Sequence, residues 1–525
     1  MNYRGLFLAL PLLFLCACVR FKPVGKSPTP ATTVQRATDT SPAPTQAPAA
    51  TMAPTATQVP TSAATSQCDL FLSLSGPQIL PDPANLKWEE RDAEIGVLRE
   101  LTGLSTILLD AEPSPDGRWW AVKLVKRFGE GGETDTALYV LDGTGERHWI
   151  ASSAGRPDYH QYAWLQDGGL IWTDRGRLLV AEDDGSNRID LKAPEAILEV
   201  WMGSDEEAMA SGETALWRVH LKTGLWDKVP GFDEGMRAGN SPVSDPGANL
   251  SVSPDGKFAA LIHQGTLWRV SFAPGTEARY LAKINYPGRG GRINPPRPLA
   301  GSPYWFPGEG ASDLSQNPPI TYAMLDERDG SLIPLNELLP LGGWEVSYPS
   351  ISPDGQWMAV ELADANPSSA RKAVYVASSQ ALTQGRTVEG EWVIGWQAEP
   401  PAVFLGSRSP EGLTVARVAL PDGDPLPFLS GLDQEVNPLL STTPNVIFIH
   451  EDEQLFGFDV NASLLATLTP PALPKQVYTL KAAAEAQVIV GGASLKRDAS
   501  ESGKCAFTYP FLLWDIVVAS ASPSP

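Results

Sequence analysis

Three stretches of the chain share one pattern of polar and apolar positions. In each, the tetrapeptide Ser-Pro-Asp-Gly is followed by a polar residue, an aromatic residue, a variable residue, an alanine and an aliphatic residue. The copies begin at Ser114, Ser253 and Ser352. Proline fixes φ, aspartate bonds nearby backbone, and glycine accepts the positive φ that closes a tight turn. The pattern therefore predicts a turn that leads directly into a β-strand.

The predicted strands are apolar at nearly every position instead of alternating. Continuous apolar runs are expected when both faces of a sheet are covered by neighbouring layers. A second element follows each turn and strand at a variable distance and predicts the next strand of the same unit. Its copies are Ala137–Val140, Ala215–Val219, Thr266–Val270 and Ala373–Val376. Hairpin turns such as Asp184-Gly185 and Asp329-Gly330 commonly come next and indicate a further strand.

The spacing of the turns indicates a repeat of one propeller blade. Ser253 follows Ser114 by 139 residues, or three units of about 46, and Ser352 follows Ser253 by 99 residues, or two units of about 50. Weaker marks fill the gaps near Gln166, Ser204, Trp305, Trp396, Ile447 and Ile489. Four short strands every 40 to 50 residues are typical of a β-propeller blade. We predict an all-β propeller of four-stranded blades, seven to nine in number, with eight as the central value.

The repeat resembles a known family at the point where the turn meets the strand. Ser-Pro-Asp-Gly followed by an aromatic and an aliphatic strand resembles the WD-like repeat of TolB-type β-propellers, and the resemblance in period covers residues 100–520. It implies that strands from both ends of the chain pair to close the ring. It also implies protein partners, since TolB-like proteins act in envelope complexes, although fold alone does not decide function.

The first twenty residues have the layout of a secretion signal. Arg4 is followed by an apolar run that closes on Leu15-Cys16-Ala17-Cys18. This end resembles the lipobox of bacterial lipoproteins, with an aliphatic residue three before the modified cysteine and a small residue immediately before it. We predict a diacylglycerol anchor on Cys18. Cys16 is the competing acceptor, but it follows the bulky Leu15; an ordinary signal peptide with an incidental cysteine is the other alternative.

A Pro/Thr/Ala-rich stretch follows the predicted anchor. It can bury little, and its prolines favour extended conformations, which predicts a disordered stalk. We therefore divide the chain into a signal peptide (1–17), a lipid anchor and stalk (18–67), a propeller (68–520) and a disordered tail (521–525). This organisation places the protein on the extracytoplasmic face of a bacterial membrane.

The remaining cysteines bracket the predicted propeller. Cys16 leaves with the signal and Cys18 carries lipid, so that only Cys68 and Cys505 remain of the 4 cysteines. In an oxidising compartment such a pair is a candidate disulfide, and it fits a ring that is closed from both ends. Two unpaired buried thiols are the alternative.

Charge and motifs exclude several classes of function. A net charge of −21 opposes nucleic-acid binding, which depends on lysine and arginine neutralising phosphates. The five histidines, His148, His160, His220, His263 and His450, contain no close pair of the zinc-site kind. Neither a Gly-x-Ser-x-Gly elbow nor a phosphate-binding Gly-Lys-Ser/Thr loop is present. We expect no metal and no cofactor.

One segment, 283–320, departs from the repeat. It is rich in proline and glycine and places Arg289, Arg292, Arg297 and Trp305 together on an acidic protein. Loops longer than about 15 residues are usually functional or disordered. We predict that these four residues contact an anionic or glycan ligand, with a solvated loop as the alternative.

The sequence supports three functional hypotheses. The leading one is a non-catalytic recognition or scaffold module for a protein or cell-envelope ligand. The second is an extracellular carbohydrate-active hydrolase or lyase with acidic residues or histidines at the central channel, and the third is a structural subunit without a small ligand. Convergent carboxylates or histidines at the channel mouth would favour the enzyme, and a mixed or apolar loop surface would favour the binder.

Overall fold

The computed structural model describes residues 87–516 with internal gaps. The segments outside the description are 103–106, 129–132, 143–147, 155–161, 205, 213, 233–249, 264–265, 284–295, 308–321, 367, 433–437, 452, 470–472, 475, 484–486, 498–504 and 509–510. The predicted signal peptide, anchor, stalk and tail, and with them Cys18 and Cys68, lie outside the described residues. Within that part of the chain, no helix is long or apolar enough to cross a membrane.

The fold is a nine-bladed β-propeller, and eight of the blades are four-stranded antiparallel meanders. Blades 1 to 4 contain β3–β6 (Ile107–Pro113, Trp119–Phe128, Glu133–Asp142, His148–Ala154), β7–β10 (Tyr162–Trp164, Leu170–Asp174, Arg177–Ala181, Ile189–Asp190), β11–β14 (Ile197–Met202, Glu207–Gly212, Leu216–His220, Leu225–Lys228) and β15–β18 (Leu250–Val252, Phe258–His263, Thr266–Ser271, Arg279–Lys283). Blades 5 to 8 contain β19–β22 (Arg297–Pro298, Tyr304–Phe306, Ala323–Asp326, Leu332–Pro334), β23–β26 (Trp344–Ile351, Trp357–Asp364, Lys372–Ser378, Arg386–Glu389), β27–β30 (Trp392–Gln397, Ala402–Ser409, Gly412–Ala419, Pro425–Leu432) and β31–β34 (Leu439–Thr442, Val446–Glu451, Gln454–Asp459, Leu464–Leu468). A single-turn helix, α1 (Leu335–Leu338), and a 3₁₀ turn at Leu382–Gln384 complete the described elements.

Blade 9 is built from both ends of the chain. It takes its first three strands from the C-terminal region and its outer strands from the N-terminal region: β35 (Gln476–Ala483), β36 (Gln487–Arg497), β38 (Phe511–Asp515), β2 (Val97–Thr102) and β1 (Lys87–Arg91), with β37 (Cys505–Thr508) on the far end of β36. Leu98 pairs with Trp514 and Glu100 with Leu512 across the junction. The predicted closure is thus confirmed. The number of blades lies within the predicted range but is one more than the central value, because the N-terminal strands complete the ninth sheet.

The Ser-Pro-Asp-Gly turns join the first strand of a blade to the second. In the first copy, Ser114 Oγ donates to Asp116 Oδ1 (2.6 Å) and accepts from the Trp119 backbone N–H (2.9 Å). The Gly117 N–H closes the turn on the Ser114 carbonyl, and Gly117 has a φ of 71°. The copies at Ser253 and Ser352 repeat these bonds. The predicted turn is therefore confirmed, and the serine hydroxyl is an additional part of it.

Among the residues that the structure describes, nine apolar clusters hold the ring together, one at each interface between neighbouring blades. The second strand of blade 1 shows how this arises. Trp119 and Ala121 face blade 2, whereas Trp120 and Val122 face blade 9. Successive side chains point to opposite faces of a strand, so both faces of each sheet need apolar residues. This explains why the strands are continuously apolar.

Arginines add polar bridges between blades. Arg218 in blade 3 is buried and donates to the carbonyls of Ser271 (2.7 Å) and Thr276 (2.5 Å) in blade 4. Arg269 in blade 4 forms an ion pair with the carboxylate of Glu327 in blade 5. Because these donors and acceptors are largely withdrawn from water, each bond fixes the relative position of two blades.

His450 in β32 provides a test of the seam between blades 8 and 9. Its side chain is 8% exposed, and its Nε2 has no hydrogen-bond partner among the described residues. Burial lowers the pKa of His450 to about 4. An unfolded histidine titrates near 6.5, so below that pH the unfolded chain takes up a proton that the folded chain resists. Stability is therefore lost as the pH falls from about 6.5 towards 4.

We expect this site to cost about 2–3 kcal/mol of unfolding free energy between pH 7.5 and pH 4.5. Urea unfolding of the full chain at both pH values measures the loss. His450→Phe should reduce the loss by that amount, whereas His220→Phe, at a partly exposed histidine, should leave it closer to wild type. An equal loss in the His450→Phe variant and the wild type would contradict the assignment.

Candidate functional site

The two ends of the ring differ in the length of their connections. At one end, which we call the turn face, the first strand of each blade joins the second and the third joins the fourth. Apart from blade 9, these connections run from three residues (443–445) to seven (379–385). At the other end, the loop face, the second strand joins the third and one blade joins the next. The loop face carries the long connections 229–249, 284–296 and 307–322.

The segment 283–320 is not one insertion. It contains β19 and β20, the first two strands of blade 5, and only the connections on either side of them are long. Both connections leave the blade at the loop face. The prediction of a single long loop was therefore wrong, because two short strands were hidden among its prolines and glycines.

The four predicted contact residues fall into different surroundings. Arg289 and Arg292 lie outside the described residues. Trp305 is fully buried in β20, stacks on Phe258 at 5.3 Å between ring centroids and donates to Glu327 Oε2 (3.0 Å). Arg297 is half-buried in the first strand of blade 5. Trp305 is thus a core residue between blades 4 and 5, and its ring is not exposed to a ligand.

The predicted disulfide and metal-ligating residues are only partly described. Cys505 lies in β37, on the extension of β36 beyond its pairing with β38, and nothing further is described of its side chain. A Cys68–Cys505 disulfide therefore lies outside the described residues. Among the residues that the structure describes, no group of three or more His, Cys, Asp or Glu side chains has the arrangement of a metal site.

Two stacked pairs of tryptophan and arginine stand on the loop face of blades 6 and 7. Trp344 is the first residue of β23, and the Arg371 guanidinium carbon lies 5.2 Å from its ring centroid. Trp392 is the first residue of β27, and the Arg408 guanidinium carbon lies 4.2 Å from its ring centroid. Both tryptophans are half-buried and both arginines are exposed. Each inner strand of these two blades therefore begins with an indole beneath a cation.

Glu391 connects the two pairs across the seam between the blades. It accepts from Lys372 Nζ (2.9 Å), next to Arg371, and from the backbone N–H of Arg408 (3.1 Å). We call this set the aromatic–cation surface; its members are Trp344, Arg371, Lys372, Glu391, Trp392 and Arg408. Its positions are fixed by strand ends and by a bridge between blades.

Two carboxylates on the loop face, one near this surface and one in blade 3, hold local structure in place. Asp364 accepts the Asn366 backbone N–H (2.9 Å), which lowers the pKa of its carboxyl, and lies 4.0 Å from Arg371. In blade 3, Glu195 accepts from Thr214 Oγ1 (2.7 Å) and Trp217 Nε1 (2.6 Å). Burial alone would raise the pKa of Glu195, but these hydrogen bonds lower it. Such carboxylates are suited to capping hairpins more than to exchanging protons.

The aromatic–cation surface was not predicted from the sequence. Trp392 and Arg408 are separated by 16 positions, and Trp344 and Arg371 by 27, so no local motif joins them. The only available signal was the recurrence of tryptophan at the start of a blade unit.

The comparisons with known proteins add little to this geometry. No protein-family model matches the chain, and no curated protein is significantly similar to it. The structure of apo AztD from Citrobacter koseri is 12% identical with a TM-score of 0.30, covering 74% of this chain and 97% of that one. A crystal structure described as the eukaryotic initiation factor is 12% identical with a TM-score of 0.33, covering 74% and 84%. Both TM-scores are low, and the fold rests on the strand topology described above.

Proposed function

We propose that this chain is a non-catalytic recognition or scaffold module that presents the loop face of its propeller to a protein or cell-envelope ligand. The observation that carries the proposal is the aromatic–cation surface. Tryptophan and arginine are the residues most enriched at binding hot spots, because each combines a large contact area with directed hydrogen bonds. Here they stand at strand ends on the face that also carries the longest connections.

The alternative, an extracellular carbohydrate-active hydrolase or lyase, needs a pair of carboxylates or histidines free to exchange protons. Two carboxylates described at the loop face, Asp364 and Glu195, instead accept backbone or side-chain hydrogen bonds that cap hairpins. His450 is buried between blades. The mixed aromatic and cationic character of the surface therefore favours binding over catalysis.

The rest of the proposal concerns location. A TolB-type propeller that is anchored by lipid on Cys18 and held on the 18–67 stalk would meet its partner at the extracytoplasmic face of a bacterial membrane. Two or three acyl chains suffice for stable attachment, since each buried methylene contributes about 0.8 kcal/mol. A tethered module of this kind encounters ligands close to its own membrane.

The anchor is tested by exchanging each cysteine of the signal region in turn. Cys18→Ser should move the protein from the membrane fraction to the soluble fraction and remove the lipid from its mass. Cys16→Ser, which alters only the competing acceptor, should leave both unchanged. Retention of the Cys18→Ser variant on membranes would refute lipidation at this residue.

The recognition surface is tested by capture from solubilised membranes with the full chain as bait. The double variant Trp344→Ala/Trp392→Ala should lose the proteins or polymers that the wild type retains. The control is Leu225→Ala/Tyr280→Ala, which removes exposed apolar side chains from the outer strands β14 and β18. Thermal unfolding of each bait confirms that it is folded. If the tryptophan variant captures the same material as wild type, the loop face of blades 6 and 7 is not the binding surface.

A further inference from the structure

Arginine occupies the same position of the third strand in blades 3, 4 and 7. Arg218 in β13, Arg269 in β17 and Arg417 in β29 are each the third residue from the end of a strand that runs to the turn face. Residues directly opposite each other in antiparallel strands share one face of the sheet. The residues opposite these arginines in the second strand all belong to the apolar cluster shared with the next blade: Met209, Ala260 and Phe404. All three arginines therefore face the next blade of the ring.

In blades 3 and 4, a carboxylate neutralises this arginine. Arg218 Nη1 donates to Asp227 Oδ2 (2.8 Å), and Asp227 is the residue opposite it in the fourth strand. Arg269 forms an ion pair with Glu327, which immediately follows the third strand of blade 5. The fold thus offers two places for the counter-charge, one in the blade of the arginine and one in the next blade.

Both of these places are apolar around Arg417. Leu426 is the residue opposite Arg417 in the fourth strand, at the position that Asp227 has in blade 3. Val460 immediately follows the third strand of blade 8, at the position that Glu327 has in blade 5, and it packs against the apolar cluster between blades 7 and 8. The Arg417 guanidinium therefore faces blade 8 without a carboxylate at either place.

Gln397 holds the Arg417 side chain in this position. Arg417 Nε donates to Gln397 Oε1 (3.0 Å), and both side chains are buried. Gln397 Nε2 in turn donates to the carbonyls of Glu399 (3.2 Å) and of Thr443 in blade 8 (3.3 Å). Within the described part of the chain, the two Nη atoms of Arg417 have no acceptor, and they are not fully sealed from solvent. A fixed pair of donor groups is therefore directed into the seam between blades 7 and 8.

Burial makes the missing counter-charge costly. The Arg417 side chain is 7% exposed, and burial lowers the pKa of its guanidinium. An arginine nevertheless stays protonated in a folded protein. The acidic residues of the adjoining turns are exposed or accept backbone N–H groups, and none of them forms an ion pair with Arg417 in the described part of the chain: Glu399, Asp422, Asp424 and Asp459. A buried charge that no protein group neutralises is unfavourable unless an ion from solution pairs with it.

We infer that the Nη groups of Arg417 bind a small monovalent anion of the size of chloride, which supplies the counter-charge at the seam between blades 7 and 8. The small exposed fraction of Arg417 favours a single ion over the side chain of a partner, and the acidic turns around the site disfavour a polyanion. The bound ion stabilises the seam because it neutralises a cation that Gln397 links to blade 8. This site lies towards the turn face and is independent of the recognition function proposed for the loop face.

The first test compares thermal unfolding of the full chain in detergent in sodium chloride and in sodium methanesulfonate, a larger monovalent anion, at equal ionic strength. An ion that binds only the folded state raises the unfolding midpoint. We expect chloride to raise the wild-type midpoint by about 2 °C relative to methanesulfonate. Arg417→Met keeps the length of the side chain but removes its charge, and it should reduce this shift to about 0.5 °C or less.

Two control variants should keep the full chloride shift. Arg218→Met removes the arginine at the same position of blade 3, where Asp227 already supplies the counter-charge. Arg118→Gln removes a cation of the turn face whose side chain is 69% exposed. An equal chloride shift in Arg417→Met and in wild type would overturn the inference, as would a loss of the shift in all three variants, because the effect would then depend on net charge alone.

A second measurement needs no variant and decides the question if Arg417→Met does not fold. Anomalous scattering from wild-type crystals grown in sodium bromide should show a bromide ion within hydrogen-bond reach of the Arg417 Nη atoms. A map without bromide at this position would overturn the inference. Bromide density together with an unchanged chloride shift in Arg417→Met would mean binding at crystal concentration only, which would also overturn it.

Discussion

The pairing of β2 with β38 is the contact on which the rest of the structure depends. A propeller has no single core; its apolar residues are divided among nine interfaces, and each interface requires both neighbouring blades. Without β2, blade 9 would lose an outer strand and with it Leu98 and Leu101, which contribute to the clusters shared with blades 8 and 1. The N-terminal strand therefore joins two interfaces at once, and closure of the ring fixes the remaining blades relative to one another.

In the closed ring, the turn face and the loop face have different structural roles. On the turn face, short connections are fixed by serine and aspartate hydrogen bonds, and nearby arginines bridge the blades. On the loop face, the long connections and the aromatic–cation surface occur together, and Glu391 makes that surface continuous across the seam between blades 6 and 7. A rigid scaffold that presents variable loops is the usual arrangement for recognition.

Much of the fold could be predicted because it depends on interactions between residues that are close in sequence. Each Ser-Pro-Asp-Gly turn and the strand after it depend on adjacent residues. The same pattern occurs three times, which makes the repeat recognisable in the sequence. The sequence marks blade 5 at Trp305, but β19 and β20 are only two and three residues long within a proline- and glycine-rich segment, so the two strands were not distinguished from the loops around them. Trp305 resembled a ligand contact for the same reason, although it packs in the core. The stacking of Arg408 on Trp392 depends on strand pairing and could not be recognised from sequence order.

The closure is tested most directly at Gly96, which precedes β2 with a φ of 81°, and where a Cβ would overlap the Asp515 carbonyl oxygen of β38. Gly343 has a matching φ of 82° and no neighbour within 4 Å of a built Cβ, so Gly343→Ala measures backbone strain alone, about 1–2 kcal/mol. Chemical unfolding of both alanine variants in the full chain compares the two. The account predicts that Gly96→Ala loses clearly more unfolding free energy than Gly343→Ala. Equal losses would show that the approach of β2 to β38 contributes nothing beyond local strain and would contradict the central role of this pairing.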